Sequence, residues 1–294
     1  MVALFLFDLM GAIIKHLDGR YPAQQLSFLR NLFGLVPSLI VLYLSSDWHA
    51  SGRPVIIRNW KIALMRGGMV AIAQFSYYTA LTHMEFAITN TLASIGPIFI
   101  TALSIPILGM RVGPWRWAAV FIGFAGVIMV IRPGSGIFTL YALFPIVAAF
   151  CYASAAVTVR MIDSNVPSAT INLYSTFGAL VGALILTMST GGFVPITSFQ
   201  DWMWIFTMGA VGGCAVILLI MAYRETLPSN LAPFEYLVIP FSFVIGWFFF
   251  GEAPFSTLFP GVIFIVGGGL LIIWRERVKK KENAPQEQDQ TNLK

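Results

Sequence analysis

Five charged side chains fall inside long apolar runs of this chain: Asp8, Lys15, Arg30, Arg66 and Glu235. A charge at the centre of a membrane helix costs about 2.5–3.5 kcal/mol on insertion scales, so such groups face a cavity or a partner. Glu235 is the strongest candidate. It follows Pro233 and precedes Pro240, so the helix around it is expected to be distorted. A carboxyl group there suits proton exchange or the binding of a cation; solvation at a membrane face, or pairing with an arginine, is the competing role. Asp8 and Lys15 are seven residues apart and share a helix face, about 10 Å apart along the axis. Gly11 and Ala12 between them leave room for a substrate or another helix. Lys15 reads as an interfacial anchor whose ammonium snorkels to water. Asp8 reads as a site residue or a satisfied structural carboxylate.

Two uncharged polar stripes accompany these groups. Arg66 heads a helix face that continues through Val70 and Gln74 to Tyr77 and Tyr78. A tyrosine can stack on a ring and still donate a hydrogen bond; cavity lining and interhelical bonding compete as roles for Gln74, Tyr77 and Tyr78. The next apolar run carries Asn90, Ser94, Pro97, Thr101 and Ser104 on one face. Pro97 removes a backbone hydrogen bond and is expected to open that helix. Glu252 lies in a loop and is expected to cap the following helix or tie two loops together. No GxxxxGK[ST] motif occurs, and His16, His49 and His83 form no ligand cluster, so neither a cofactor nor a metal is expected.

The elements that must position these residues are membrane helices. Of the 294 residues, 57% are hydrophobic and 11% charged. A soluble domain carries about 25% charge, so a soluble enzyme and a nucleic-acid binder are both excluded. The net charge of +5 is explained by basic loops beside a bilayer. Cys151 and Cys214 are packing residues. Apolar runs near the 20 residues a span requires predict ten helices: Val2–Leu17, Gln25–Leu44, Ile62–Leu81, Phe86–Leu108, Trp115–Ile131, Phe138–Val159, Ala169–Met188, Trp202–Tyr223, Leu231–Phe250 and Leu258–Trp274. The first has no cleavage signal and is expected to be retained. The tail, 275–294, is charged, poor in apolar residues and expected to be disordered and cytoplasmic.

Lys and Arg placement sets orientation. With the N-terminus inside, fourteen fall on the inner face, among them Arg53, Arg58, Lys61, Arg66, Arg111, Arg116, Arg160, Arg224 and the tail cluster. Four fall outside: Lys15, Arg20, Arg30 and Arg132. Both termini inside requires an even number of spans. The halves also repeat. Ala80, Gly109 and Gly126 precede Ala222, Gly251 and Gly268 by 142 residues, and Phe33-Gly34 precedes Phe177-Gly178 by 144. Five helices per half place the second copy upside down, an arrangement common in secondary transporters. The expected fold is an all-α integral membrane protein of ten transmembrane helices in two inverted five-helix repeats, 1–134 and 135–274. The GxxxG spacings Gly178–Gly182 and Gly209–Gly213 read as close helix contacts, within the chain or in a homodimer.

This pattern resembles the EamA-type transporters of the drug/metabolite transporter superfamily. The likeness is carried by Ala232-Pro233-Phe234-Glu235-Tyr236, by Gly251-Glu252-Ala253-Pro254 followed by Gly261 and Gly267-Gly268-Gly269, and by Gly11, Lys15 and Phe28-Leu29-Arg30. In the first half the Gly-Glu position reads Gly109-Met110, without the acid. The resemblance covers nearly the whole chain. It implies a secondary transporter of the inner membrane, not an enzyme, whose halves rock about a cavity lined by the first, third, fourth, sixth, eighth and ninth spans. Tyr152 and Ser154 of the sixth span then join the lining, with Tyr236 from the ninth. The expected partners are the lipid bilayer and a small-molecule substrate, with no nucleic acid. Export of an amino acid or related compound is the first substrate reading. Uptake of riboflavin or S-adenosylmethionine is the alternative within transport, and an integral-membrane lipid-modifying enzyme the alternative outside it.

Overall fold

Backbone polar groups have no water to bond inside a bilayer, so an apolar run must satisfy them within itself, as a helix. The computed structural model describes residues 2–17, 19–52, 57–109, 114–131, 140–163, 166–225, 238–252, 255–271, 274 and 278. Among them no strand occurs, and the helices follow the predicted order of spans. The first is Val2–His16, the second Ala23–Leu44 and the third Trp60–His83. The fourth is broken into Phe86–Ala93 and Gly96–Leu108. The fifth is Pro114–Ile131; the sixth is Leu143–Thr158, entered through a 3-10 turn at Leu140–Ala142. The seventh is Ser168–Ser189, the eighth Phe199–Glu225, the ninth Val238–Phe250 and the tenth Gly261–Leu271. The protein is an all-α membrane protein. Phe121, Trp247, Phe248 and Phe249 face outward from the helices, as lipid-facing residues do.

The break in the fourth span comes where Pro97 was expected to open it. Pro97 sits in the first turn of Gly96–Leu108, where the missing N–H costs nothing. Residues 94 and 95 form the joint between the two pieces. Glu235, Tyr236 and most of the tail lie outside the described residues.

Helices of the two halves pack mainly against each other. The third span lies on the sixth and seventh, and the eighth lies on the first and second. The fourth lies on the sixth, and the ninth lies on the first. The second and seventh meet, as do the fourth and ninth. Exchanging every span for the one five places away maps this set of contacts onto itself, as two-fold related repeats require.

Individual glycines carry the same symmetry. A Cβ added at Gly126 would lie 2.7 Å from both the Gly261 carbonyl oxygen and the Ile265 nitrogen. One added at Gly268 would lie 2.8 Å from the Ala119 carbonyl oxygen and 3.0 Å from the Gly123 nitrogen. Moving each residue of the first contact by 142 positions yields the second. Likewise Gly67 meets Gly178 between the third and seventh spans, while Gly209 meets Phe33 between the eighth and second. Backbone lies directly on backbone at the Gly126, Gly268 and Gly67 contacts, so no larger side chain fits there. Both predicted GxxxG faces are therefore used within the chain, Gly182 against Ala71 and Gly213 against Pro37.

Candidate functional site

Asp8, Arg30, Tyr77, Tyr78 and Asn90 of the first four spans gather near one end of the bundle, the end that carries Lys15. At 1.5 Å per residue, Asp8 lies about 12 Å from that end of its helix, Arg30 about 10 Å and Tyr78 about 8 Å. The groups thus share a level one to two turns below the surface.

Asp8 is 2% exposed, and its Oδ2 has no hydrogen-bond partner. Its carboxyl group lies within electrostatic range of the Tyr77 hydroxyl. Tyr77 donates a hydrogen bond to Asn90 Oδ1 across to the fourth span, which leaves Asn90 Nδ2 buried without an acceptor. Tyr78 is fully buried with an unpartnered hydroxyl. Tyr152 of the sixth span lies within electrostatic range of Tyr77, Tyr78 and Arg30, yet keeps 39% of its surface open. Asp8, Tyr77, Tyr78, Asn90 and Tyr152 are thus brought together. Buried polar atoms are nearly always paired; a concentration of unpaired ones on facing helices is what a ligand-binding centre requires.

Other expected residues have different duties. Gln74 Oε1 accepts from Ser27 Oγ at 2.8 Å and from Asn31 Nδ2 at 2.6 Å, so it joins the second and third spans. Ser94 Oγ donates back to Asn90 O at 2.8 Å beside the helix break, and Ser154 Oγ donates to Phe150 O at 2.8 Å. Gly11 does make room, but for Phe86, whose ring would lie 3.1 Å from a Cβ added there. Arg66 ties the third span to the sixth and seventh: its Nε donates to Ala155 O at 2.7 Å and its Nη1 to Ser175 Oγ at 2.6 Å.

Arg30 corrects the orientation count. It is 7% exposed inside the second span, so it is no loop charge. Its Nη1 donates to Asn31 Oδ1 at 3.0 Å and its Nη2 to the Gly212 carbonyl at 3.3 Å. The sequence flagged it as an intramembrane charge, but position alone did not show it beside the tyrosines.

An ion pair closes over this cluster. Lys15 Nζ lies 2.5 Å from Glu252 Oε1 and also donates to Met84 O at 2.8 Å. Glu252 Oε2 accepts from the Phe86 N–H at 2.7 Å. Glu252 therefore caps the fourth span, not the helix that follows it, and Lys15 is a bonded partner where a free anchor was expected. Glu85 stands beside this pair. Burial pushes its carboxyl above the usual range, Glu252 adds to the shift, and Lys15 offsets part of it. Next to it, Arg20 bonds Asp201 at 2.6 Å and Tyr21 donates to the same carboxylate at 2.8 Å. Burial and the Asp201 bond both raise the Tyr21 hydroxyl. A cleft of about 500 Å³ opens at this end, between the Arg20–Gln24 turn and Phe75, Thr79 and His83.

Comparison with known proteins agrees with this architecture. The model of the EamA-like transporter family matches residues 1–132 and again 139–274. A pseudopaline exporter of Pseudomonas aeruginosa is 25% identical over 90% of this chain and 91% of its own length. A riboflavin transporter of Rhizobium johnstonii is 30% identical over 75% of this chain and 72% of its own. An S-adenosylmethionine uptake transporter of Rickettsia prowazekii is 22% identical over 94% and 92%. A solved crystal structure, 19% identical, superposes with a TM-score of 0.65 over 94% of this chain and 95% of its own, a likeness of fold. Matched by this family model in both of its halves, the chain belongs to the EamA-like transporter family.

Proposed function

We propose that this protein exports an amino acid or a closely related metabolite across the cytoplasmic membrane by alternating access. The observation that carries the reading is Asp8, a buried carboxylate with an unpartnered oxygen at the level of Tyr77 and Asn90. An ammonium group supplies the opposite charge that lets the buried Asp8 carboxyl ionise. Tyr77 and Tyr152 then flank the rest of the substrate, and Asn90 Nδ2 offers it a hydrogen bond. Glu235 and Tyr236 are proposed as further lining residues on the strength of the sequence pattern.

In this reading the repeats are 1–134 and 135–274, both chain ends are cytoplasmic, and the Lys15 end faces outside. Rocking of the halves exposes the tyrosine level to each side in turn, with Lys15–Glu252 closing the outer one. Uptake of a larger aromatic compound is the second reading; three tyrosines at one level, and relatives described as riboflavin and S-adenosylmethionine transporters, favour it.

The test is uptake and efflux in proteoliposomes with a panel of labelled metabolites, with and without a proton gradient. Saturable movement of an amino acid, lost in Asp8→Asn while membrane insertion is normal, is the expected result. Movement of no metabolite, alongside turnover of lipid by the same preparation, would replace transport with enzymatic work on lipid.

A further inference from the structure

Arg30 is the second buried charge of the centre, and the network around it does not neutralise it. A guanidinium stays protonated at any physiological pH. Neither Arg30 nor Asp8 belongs to an ion pair among the described residues. The second span holds Arg30 through Asn31, whose Oδ1 also accepts from Gln74 Nε2 at 3.3 Å. The eighth span holds it through the Gly212 carbonyl. A Cβ added at Gly212 would lie 3.0 Å from Arg30 Nε and 2.5 Å from Met10 Sδ. Only a glycine lets the guanidinium rest against the eighth span, so the head is positioned by three helices.

What remains is unspent hydrogen-bonding capacity. Arg30 Nε is buried without an acceptor, and the Tyr78 hydroxyl is buried without a partner. Each lies within electrostatic range of the other and of Tyr152, the residue of this group that keeps an open face. An anion can accept from both groups, and a carboxylate matches a guanidinium N–H and a nearby hydroxyl. The second and eighth spans belong to opposite halves, so the Nε edge lies where the two halves meet.

We propose that Arg30 and Tyr78 form a carboxylate-binding subsite, so that both charged groups of a transported amino acid are read, its ammonium by Asp8 and its carboxylate by Arg30. The proposal rests on the amino-acid reading above and adds the residue that distinguishes an amino acid from its amine. It also gives a role to two buried ionisable groups, Asp8 and Arg30, that do not pair with each other.

The experiment measures thermal stabilisation of the purified protein in nanodiscs by four probes of similar size: L-phenylalanine, 2-phenylethylamine, 3-phenylpropanoate and the neutral 3-phenylpropan-1-ol. The phenyl ring suits a level lined by tyrosines. The native protein is expected to bind both carboxylates at least about tenfold more tightly than the alcohol. Arg30→Met removes that preference and leaves 2-phenylethylamine unchanged, while Arg30→Lys restores part of it. Tyr78→Phe deletes one hydroxyl and weakens the carboxylates about fivefold without touching the amine; it carries the test if Arg30→Met does not fold. Equal stabilisation by the acids and the alcohol overturns the subsite, and so does carboxylate binding that survives both Arg30→Met and Tyr78→Phe. Carboxylate binding through Arg30 in a protein that moves nothing across liposomes leaves the subsite standing and sinks the transport reading instead.

Discussion

Removing the charge of Glu252 perturbs the Lys15 end directly. Breaking a fully buried pair by deleting one partner costs about 3–5 kcal/mol, because the other charge is left behind. An exposed pair is worth about 0–1 kcal/mol. The side chains of Lys15 and Glu252 are 11% and 19% exposed, which puts this pair nearer the buried limit. In Glu252→Gln the amide oxygen can still accept from Phe86 N–H, so much of the cap survives and the loss falls on Lys15. The expected destabilisation is about 2–4 kcal/mol. Lys15→Met should cost a similar amount, since Glu252 would then keep only its backbone donor. The double variant should cost much less than the sum, because neither charge is stranded, giving a coupling of about 1.5–3 kcal/mol. Thermal unfolding of the four proteins in one lipid environment measures it. A coupling below about 0.5 kcal/mol would refute the reasoning and class the pair with solvated surface bridges.

Other perturbations test separate parts of the account. Gly67→Ala should destabilise by about 1–3 kcal/mol or more, because its Cβ meets backbone of the seventh span at 2.5 Å. Gly68→Ala, with nothing within 4 Å, is the control and should be neutral or mildly stabilising. Gln74→Leu should cost about 1–2 kcal/mol by leaving Ser27 and Asn31 without their shared acceptor. Glu85 has a raised folded-state pKa, so its ionisation opposes folding. Its contribution is fully present below its ordinary value of 4.5 and is lost as pH rises towards the shifted value. Glu85→Gln should therefore be more stable than the native protein at neutral pH and match it at low pH, measured by unfolding across pH.

The spans were legible because the bilayer imposes one rule on every spanning segment, and ten apolar runs obeyed it. The repeat was legible because glycines on which helices touch leave no room for a larger side chain, and two of them, Gly126 and Gly268, stand 142 residues apart in matching contacts. Pairings across space were not legible. Lys15 and Glu252 are 237 residues apart, and nothing local in either segment announces the other. Arg30 was legible as a charge inside the second span, but nothing in the sequence set it against Gly212 of the eighth. Gln74 shared a stripe with Tyr77 and Tyr78, but a stripe does not say which neighbours each member meets. Gln74 faces Asn31 and Ser27, whereas Tyr77 faces Asn90.

Counterflow tests the central claim most directly. Proteoliposomes preloaded with an unlabelled amino acid are diluted into a trace of the same compound carrying a label. A site that opens alternately to the two sides predicts a transient overshoot of label above equilibrium, saturating with internal substrate and abolished in Asp8→Asn. Label that rises to equilibrium without overshoot, at a rate proportional to concentration and unchanged in Asp8→Asn, would contradict both the alternating mechanism and the placement of the site.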